Sequence, residues 1–431
     1  MFKENCMERP RRVISGKWIR FSKTVSLSCV IIILLLQACQ KKDNLRQSQS
    51  SSSFIIADSL PWSVRMAESE IYRQGDSLIY SPAYPKGNWN YQTGLFLKSL
   101  LDLAQASGSG SNARYYDYVK RVVDSYVQED GSIRTYQLED YNIDNINSGK
   151  VLLALYQINH EEKYRQAAFL IRKQLNEQPR TKSGGFWHKK IYPWQIWLDG
   201  IYMGAPFYVE FSKLFDQPAG YEDVIDQILL IDTRTRDPKT GLRYHGWDES
   251  NGQKWANPVT GCSPNFWGRA MGWYGMALVD ILDYLPADFP RMEQIVFILN
   301  DLNKAVVRYQ DSKTGLWYQV LDQGDRAGNY LEASASAMFV YTLAKSFQLN
   351  YSDSSCWQAA VKGYRGMIDN LVSITPNGLV TLNRICSVAG LGGNPYRDGT
   401  YEYYISEPVV SNDLKGVGPF ILAALQMEKV K

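Results

Sequence analysis

The chain has 431 residues, 45% hydrophobic and 21% charged, enough apolar material for a large buried core and far from the composition of a disordered protein. Its first 38 residues hold seven of the 47 basic residues and two of the 44 acidic ones, so the remainder carries a formal charge of −2, which excludes nucleic-acid binding by bulk electrostatics. Aromatic residues reach 13%, with 12 Trp and 29 Tyr, more than core packing usually requires and suited to stacking on flat ligand faces such as sugar rings.

At the N-terminus, Arg9, Arg11, Arg12, Lys17, Arg20 and Lys23 precede an apolar stretch from Val25 to Leu36, followed by Leu36-Gln37-Ala38-Cys39. The pattern reads as a signal peptide over residues 1–38. A small residue directly before Cys39 resembles the bacterial lipobox, in which the cysteine is lipidated and becomes the first mature residue. The apolar run is shorter than the roughly 20 residues a bilayer span needs. The alternatives are an ordinary cleaved signal and an uncleaved membrane anchor. All of them take the protein out of the cytoplasm, and a Gram-negative lipoprotein of the periplasm or outer membrane is the expectation. Lys41 to Ser53 is polar and Ser/Gln-rich, and residues 39–57 are expected to form a flexible tether; residues 58–431 are expected to form the catalytic domain. Beyond Cys39 only Cys262, Cys356 and Cys386 remain, with no CxxC, and His160, His188 and His245 are scattered. Neither a disulfide framework nor a metal or cofactor site is expected.

Five turns then repeat along the chain, with glycines aligned at 131, 185, 241, 315 and 378, a spacing of 54 to 74 residues. Each interval has room for two helices and two connections. One helix of each pair is charged and amphipathic: Trp62 to Arg73, Arg114 to Val127, Glu161 to Asn176, Tyr221 to Ile231, Met292 to Tyr309 and Ser355 to Leu371. The other is more apolar and is preceded by small residues: Leu95 to Ala104, Lys150 to Ile158, Phe207 to Phe215, Met276 to Leu285, Met338 to Phe347 and Phe420 to Met427. Six hairpins with buried inner and amphipathic outer helices predict an all-α, closed (α/α)6 toroid with short connecting strands or turns. An open helical solenoid would show the same alternation, but it usually needs polar capping repeats, and none is evident. A closed ring leaves a central cavity at one end, the place to look for function.

Asp144 and Asp199 each lie five residues before a glycine, Gly149 and Gly204, near the start of consecutive inner helices. Helix capping alone could account for either. For Asp199, the neighbouring Trp194, Trp197 and Tyr202, together with a second carboxylate, would favour the protonated form and suit a general acid. A second cluster combines Tyr244-His245-Gly246-Trp247-Asp248 with Phe266-Trp267-Gly268-Arg269-Ala270-Met271-Gly272-Trp273. There Arg269, between two tryptophans, needs an anion nearby, either a ligand or an internal partner such as Asp248 or Glu249. His188 and Lys189 add further donors. Acids, cations and aromatic plates together suit a charged sugar.

WLDGIYMGAPF (Trp197 to Phe207), RYHGWDES (Arg243 to Ser250), FWGRAMGW (Phe266 to Trp273) and DNINSGK (Asp144 to Lys150) resemble glycoside hydrolase family 105, the unsaturated rhamnogalacturonyl hydrolases, over essentially all of Trp62 to Met427. The related family 88, unsaturated glucuronyl hydrolases, looks less similar in the HGWDES stretch. The resemblance implies a six-hairpin toroid, Asp199 as general acid/base and Asp144 as its partner acid. It implies a substrate pocket containing His245, Trp267 and Arg269, with Met203, His188, Lys189 and Trp273 lining it and Tyr91 in a loosely matched aromatic wall. The implied substrate is a lyase-generated oligosaccharide capped by a 4,5-unsaturated uronate, hydrolysed by vinyl-ether hydration rather than by direct attack at the anomeric carbon. A monomer or weak dimer without nucleic-acid partners is expected. The competing readings are an unsaturated glucuronyl hydrolase acting on glycosaminoglycan or ulvan-type fragments, a non-catalytic glycan-binding lipoprotein, and a toroid epimerase, which typically relies on paired histidines.

Overall fold

The computed structural model describes residues 54–75, 78, 87–106 and 112–429. The signal peptide expected over 1–38, Cys39 and the tether up to residue 53 lie outside them. The chain divides between Phe54 and Ile55, and the second unit is the body considered below.

Thirteen α-helices are found among the described residues. Six form an inner ring: α2 (Tyr91–Ala106), α4 (Gly149–Asn159), α6 (Leu198–Leu214), α8 (Gly268–Ile281), α10 (Ala333–Gln348) and α13 (Leu414–Glu428). Each packs on the next, and α13 packs on α2, so the ring closes. Outer helices α3 (Asn112–Asp124), α5 (Glu162–Glu177), α7 (Ala219–Thr235), α9 (Met292–Arg308) and α11 (Ser354–Leu371) each pack on the inner helix before them in the chain. The sixth outer helix, α1 (Trp62–Gln74), comes first in the chain and packs on α13, the last. Joining the two ends of the chain is therefore what closes the toroid. Ser63 fastens the joint, its backbone N and Oγ donating to the Glu428 carboxylate at 3.1 and 2.5 Å. The remaining helix, α12 (Tyr401–Ser406), is a short piece in the last connection.

Three two-stranded antiparallel sheets supply the connecting strands: β1 (Gln195–Trp197) with β2 (Gly246–Asp248), β3 (Val372–Ile374) with β4 (Val380–Leu382), and β5 (Ile385–Cys386) with β6 (Val409–Val410).

Two details differ from the sequence reading. The small residues expected before the inner helices lie inside them: α6 begins at Leu198, not Phe207, and α8 at Gly268, not Met276. Glycine is a poor helix former, but here it lets inner helices approach closely. A Cβ on Gly94 would fall 2.4 Å from the Ser148 Cα, and one on Gly272 would fall 2.8 Å from the Met338 Cβ. In the second repeat the turn glycine is Gly184, with φ +93°, rather than Gly185. Gly185 is instead a packing glycine, whose Cβ would fall 2.1 Å from Ile196 Cδ1.

Gly94→Ala should therefore force α2 away from the Ser148 backbone and cost about 1–3 kcal/mol, as overpacking does. Denaturant unfolding checks this, and an unchanged midpoint would contradict the close-approach argument.

Candidate active site

The β1–β2 pairing sets Trp197 opposite Gly246, and Leu198 N donates to His245 O at 3.0 Å. This register brings Asp199, in the first turn of α6, beside His245. Asp199 Oδ2 is buried without a hydrogen-bond partner and lies 3.2 Å from His245 Nε2, out of hydrogen-bonding alignment. His245 is fixed from behind: Nδ1 lies 2.7 Å from the Tyr404 hydroxyl, and its ring centroid is 4.8 Å from that of Trp267. Trp267 is itself held by Nε1 donating to Gln319 Oε1 at 3.1 Å.

Asp144 lies in a 3₁₀ turn, Ile143–Ile146, that leads into α4. The cap of that turn is Asn142, which accepts from Asp144 N, so capping does not occupy the Asp144 carboxylate. Its oxygens face Lys189 Nζ at 2.6 Å and His188 Nε2 at 3.4 Å. Burial alone would raise this carboxyl, but Lys189 and then His188 outweigh it and hold it below the usual carboxylate range. His188 is pushed down to about 4 by burial, despite its attraction to Asp144. Its ring stacks on Trp197 at 4.3 Å, and Trp197 also stacks with Tyr192 at 5.1 Å. His188 and Lys189, read from the sequence as donors for a sugar, are thus first of all a clamp on Asp144.

Arg269, the second residue of α8, is 1% exposed. One nitrogen, Nη2, donates to Cys386 O at 2.5 Å, and Cζ lies 5.1 Å from the Trp267 ring centroid. Nε and Nη1 are buried without partners. Neither internal partner weighed from the sequence is available. Asp248 accepts from Ser250 Oγ and from Gln253 N, and Glu249 from Lys182 N and Ser183 N.

These groups meet in one cavity of about 120 Å³. Asp144, Asp199, His188, Lys189, Met203, Tyr91, Trp267, Arg269 and Trp273 all line it, while His245 stands behind Asp199. Two aromatic residues take other places. Trp194 packs on Trp187 at 5.1 Å and does not line the cavity, and Tyr202 stacks beneath Trp273 at 4.8 Å, facing the other end of the toroid. The wall is completed by residues that the sequence reading passed over, among them Tyr192, Arg397 and Lys415. A signal existed for Lys415. It is the second residue of its inner helix and is followed by a small residue, as are Asp199 and Arg269. With α6, α8 and α13 presenting their first turns, the cavity receives the positive ends of helix dipoles as well as the cations, a setting for an anion.

His188 predicts how stability responds to acid. Its folded value lies below the unfolded value of about 6.5, so the unfolded chain binds the proton first. The stabilisation is complete above pH 6.5 and is lost as pH falls toward 4. A shift of this size corresponds to roughly 3 kcal/mol. Denaturant unfolding across that window should weaken accordingly, and His188→Gln should flatten the dependence; an unchanged slope in the variant would contradict the assignment.

A family model, Glycosyl Hydrolase Family 88, matches residues 62–431. A solved family 105 glycoside hydrolase from C. acetobutylicum is 44% identical, with the alignment covering 86% of this chain and all of that one at a TM-score of 0.82. Unsaturated rhamnogalacturonyl hydrolase YesR of Bacillus subtilis is 29% identical over 61% of this chain and 72% of its own length. The unsaturated glucuronyl hydrolase of Bacillus sp. GL1, at 16% identity, covering 85% of this chain and 95% of that one with a TM-score of 0.62, shares the fold. The chain thus belongs to the glycoside hydrolases of families 88 and 105, with the similarity strongest on the family 105 side, and is an unsaturated uronyl hydrolase.

Proposed function

We propose that the enzyme removes the 4,5-unsaturated uronate from the non-reducing end of lyase-cut rhamnogalacturonan-type oligosaccharides. The observation that carries the reading is that two groups on one cavity hold buried polar atoms without a hydrogen-bond partner, Asp199 Oδ2 and Arg269 Nε and Nη1. A buried guanidinium with two free nitrogens suits a carboxylate or vicinal sugar oxygens. The similarity to YesR supports the rhamnogalacturonan preference over glycosaminoglycan fragments.

The division of labour between the acids follows from their partners. Asp144, held ionised by Lys189 and His188, cannot be the proton donor. Asp199 therefore gives its proton to C4 of the C4=C5 bond, leaving positive charge shared by C5 and the ring oxygen. Water adds at C5 and returns a proton to the Asp199 carboxylate, which resets it. The C5 hemiketal opens by breaking its bond to the ring oxygen, and the resulting hemiacetal at C1 expels the aglycone alcohol. Trp273 and Trp267 offer faces for the flat unsaturated ring. In the same proposal, lipidation at Cys39 holds the enzyme on a membrane outside the cytoplasm, where fragments from extracytoplasmic lyases arrive.

Asp199→Asn should lower turnover by about three orders of magnitude or more while leaving substrate binding nearly intact, since it deletes the proton and keeps the shape. Loss of the ultraviolet absorbance of the conjugated uronate, followed on rhamnogalacturonan, glycosaminoglycan and ulvan lyase digests, is the assay. Retained turnover would overturn the role of Asp199, and a faster reaction with another digest would overturn the aglycone. Cys39→Ala should release the protein from membrane fractions or block its processing; unchanged fractionation would remove the lipid anchor.

A further inference from the structure

A second, larger cavity of about 470 Å³ opens at the opposite end of the toroid, where the inner helices end. None of the chemistry above uses it. Its most unusual group is Lys150, which closes the DNINSGK motif and is only 4% exposed. Among the described residues no carboxylate or other oxygen reaches its Nζ. The ammonium instead sits 3.9 Å from the centroid of the Tyr202 ring and lines the cavity. Burial pushes it down to about 8, the mark of a charge without an adequate counterion.

The other lysines of this cavity are partnered. Lys98 pairs with Asp102, Lys345 with Asp280 and Asp283 at 2.8 and 2.7 Å, and Lys429 donates to Gln426. The lining therefore carries four lysines against three aspartates, one positive charge in excess. Glu210, behind the wall, is pushed up to about 7 by burial and cancels that excess only in part. Three carboxylates would repel a dianion such as phosphate. They suit a monoanion rich in hydroxyls, because Asp102 and Asp283 keep 30% and 39% of their side chains exposed and can accept from those hydroxyls. The volume admits one pyranose ring.

We propose that this lower cavity is a binding site for a monosaccharide-sized carboxylate, a sugar acid, whose carboxylate pairs with Lys150. Such a ligand would lie beneath Tyr202, and Tyr202 stacks under Trp273, which lines the substrate cavity.

The test uses the intact protein with D-galacturonate as probe and D-galactose as its neutral control. Reductive methylation of Lys150 is followed by mass spectrometry, which reads the site in the unsubstituted chain. Protection follows occupancy, so at ten times Kd the galacturonate should slow modification about tenfold, galactose should leave it unchanged, and the slowing should persist in Arg269→Met, in which the substrate cavity has lost its guanidinium. Calorimetric binding should in parallel fall at least tenfold in Lys150→Met. No protection, equal protection by galactose, or protection that vanishes in Arg269→Met would each overturn the proposal, the last by tracing the effect to the substrate cavity.

Discussion

Everything about the substrate cavity depends on ring closure. Six inner helices bury their apolar faces against one another and against the outer helices, and the last meets the first. Once closed, the ring has two ends of opposite electrostatic character. Helix starts, with free N–H groups and the positive ends of their dipoles, converge on one side; helix ends converge on the other. The cavity that holds both acids lies at the starts, and there Asp199, Arg269 and Lys415 occupy the second position of three inner helices. At the opposite end Lys345 and Lys429, at the ends of α10 and α13, answer the same constraint, since cations complement helix C-termini.

Closure also explains why polar groups can remain in waiting. A buried polar or charged atom is costly without a partner, yet Arg269 Nε and Nη1 and Asp199 Oδ2 have no hydrogen-bond partner. Both sit on helices whose glycines lock the packing, and both are braced by aromatic residues anchored elsewhere, such as Trp267 on Gln319. By contrast Asp144, clamped by Lys189, is fully engaged before any ligand arrives. Two carboxylates of one type are thereby given different surroundings by their neighbours alone.

The hairpin number and the closure were legible in the chain because inner and outer helices differ in hydrophobic periodicity and because small residues recur in the inner ones. Helix starts were legible only to within about two turns, since glycines at inter-helix contacts look locally like breakers: Gly200 and Gly204 lie inside α6, and Gly272 inside α8. The motif residues were found because they cluster near β1, β2 and the first turn of α8. Arg397 and Tyr192 were not, because they come from long connections with no periodicity and meet the cavity only through the fold. Likewise no pattern in the sequence announces that His188 faces a carboxylate, or that Tyr202 turns away from Asp199 to stack under Trp273.

The central claim is that the bond attacked by proton and water is the C4=C5 bond of the uronate and not the glycosidic linkage. Turnover of an unsaturated disaccharide in D2O, followed by proton NMR at early times, tests it directly. The account predicts that the vinyl C4 proton signal disappears together with aglycone release and that C4 gains one deuterium on a single face. Release of the aglycone with the vinyl signal and the double bond intact in the freed sugar would contradict it.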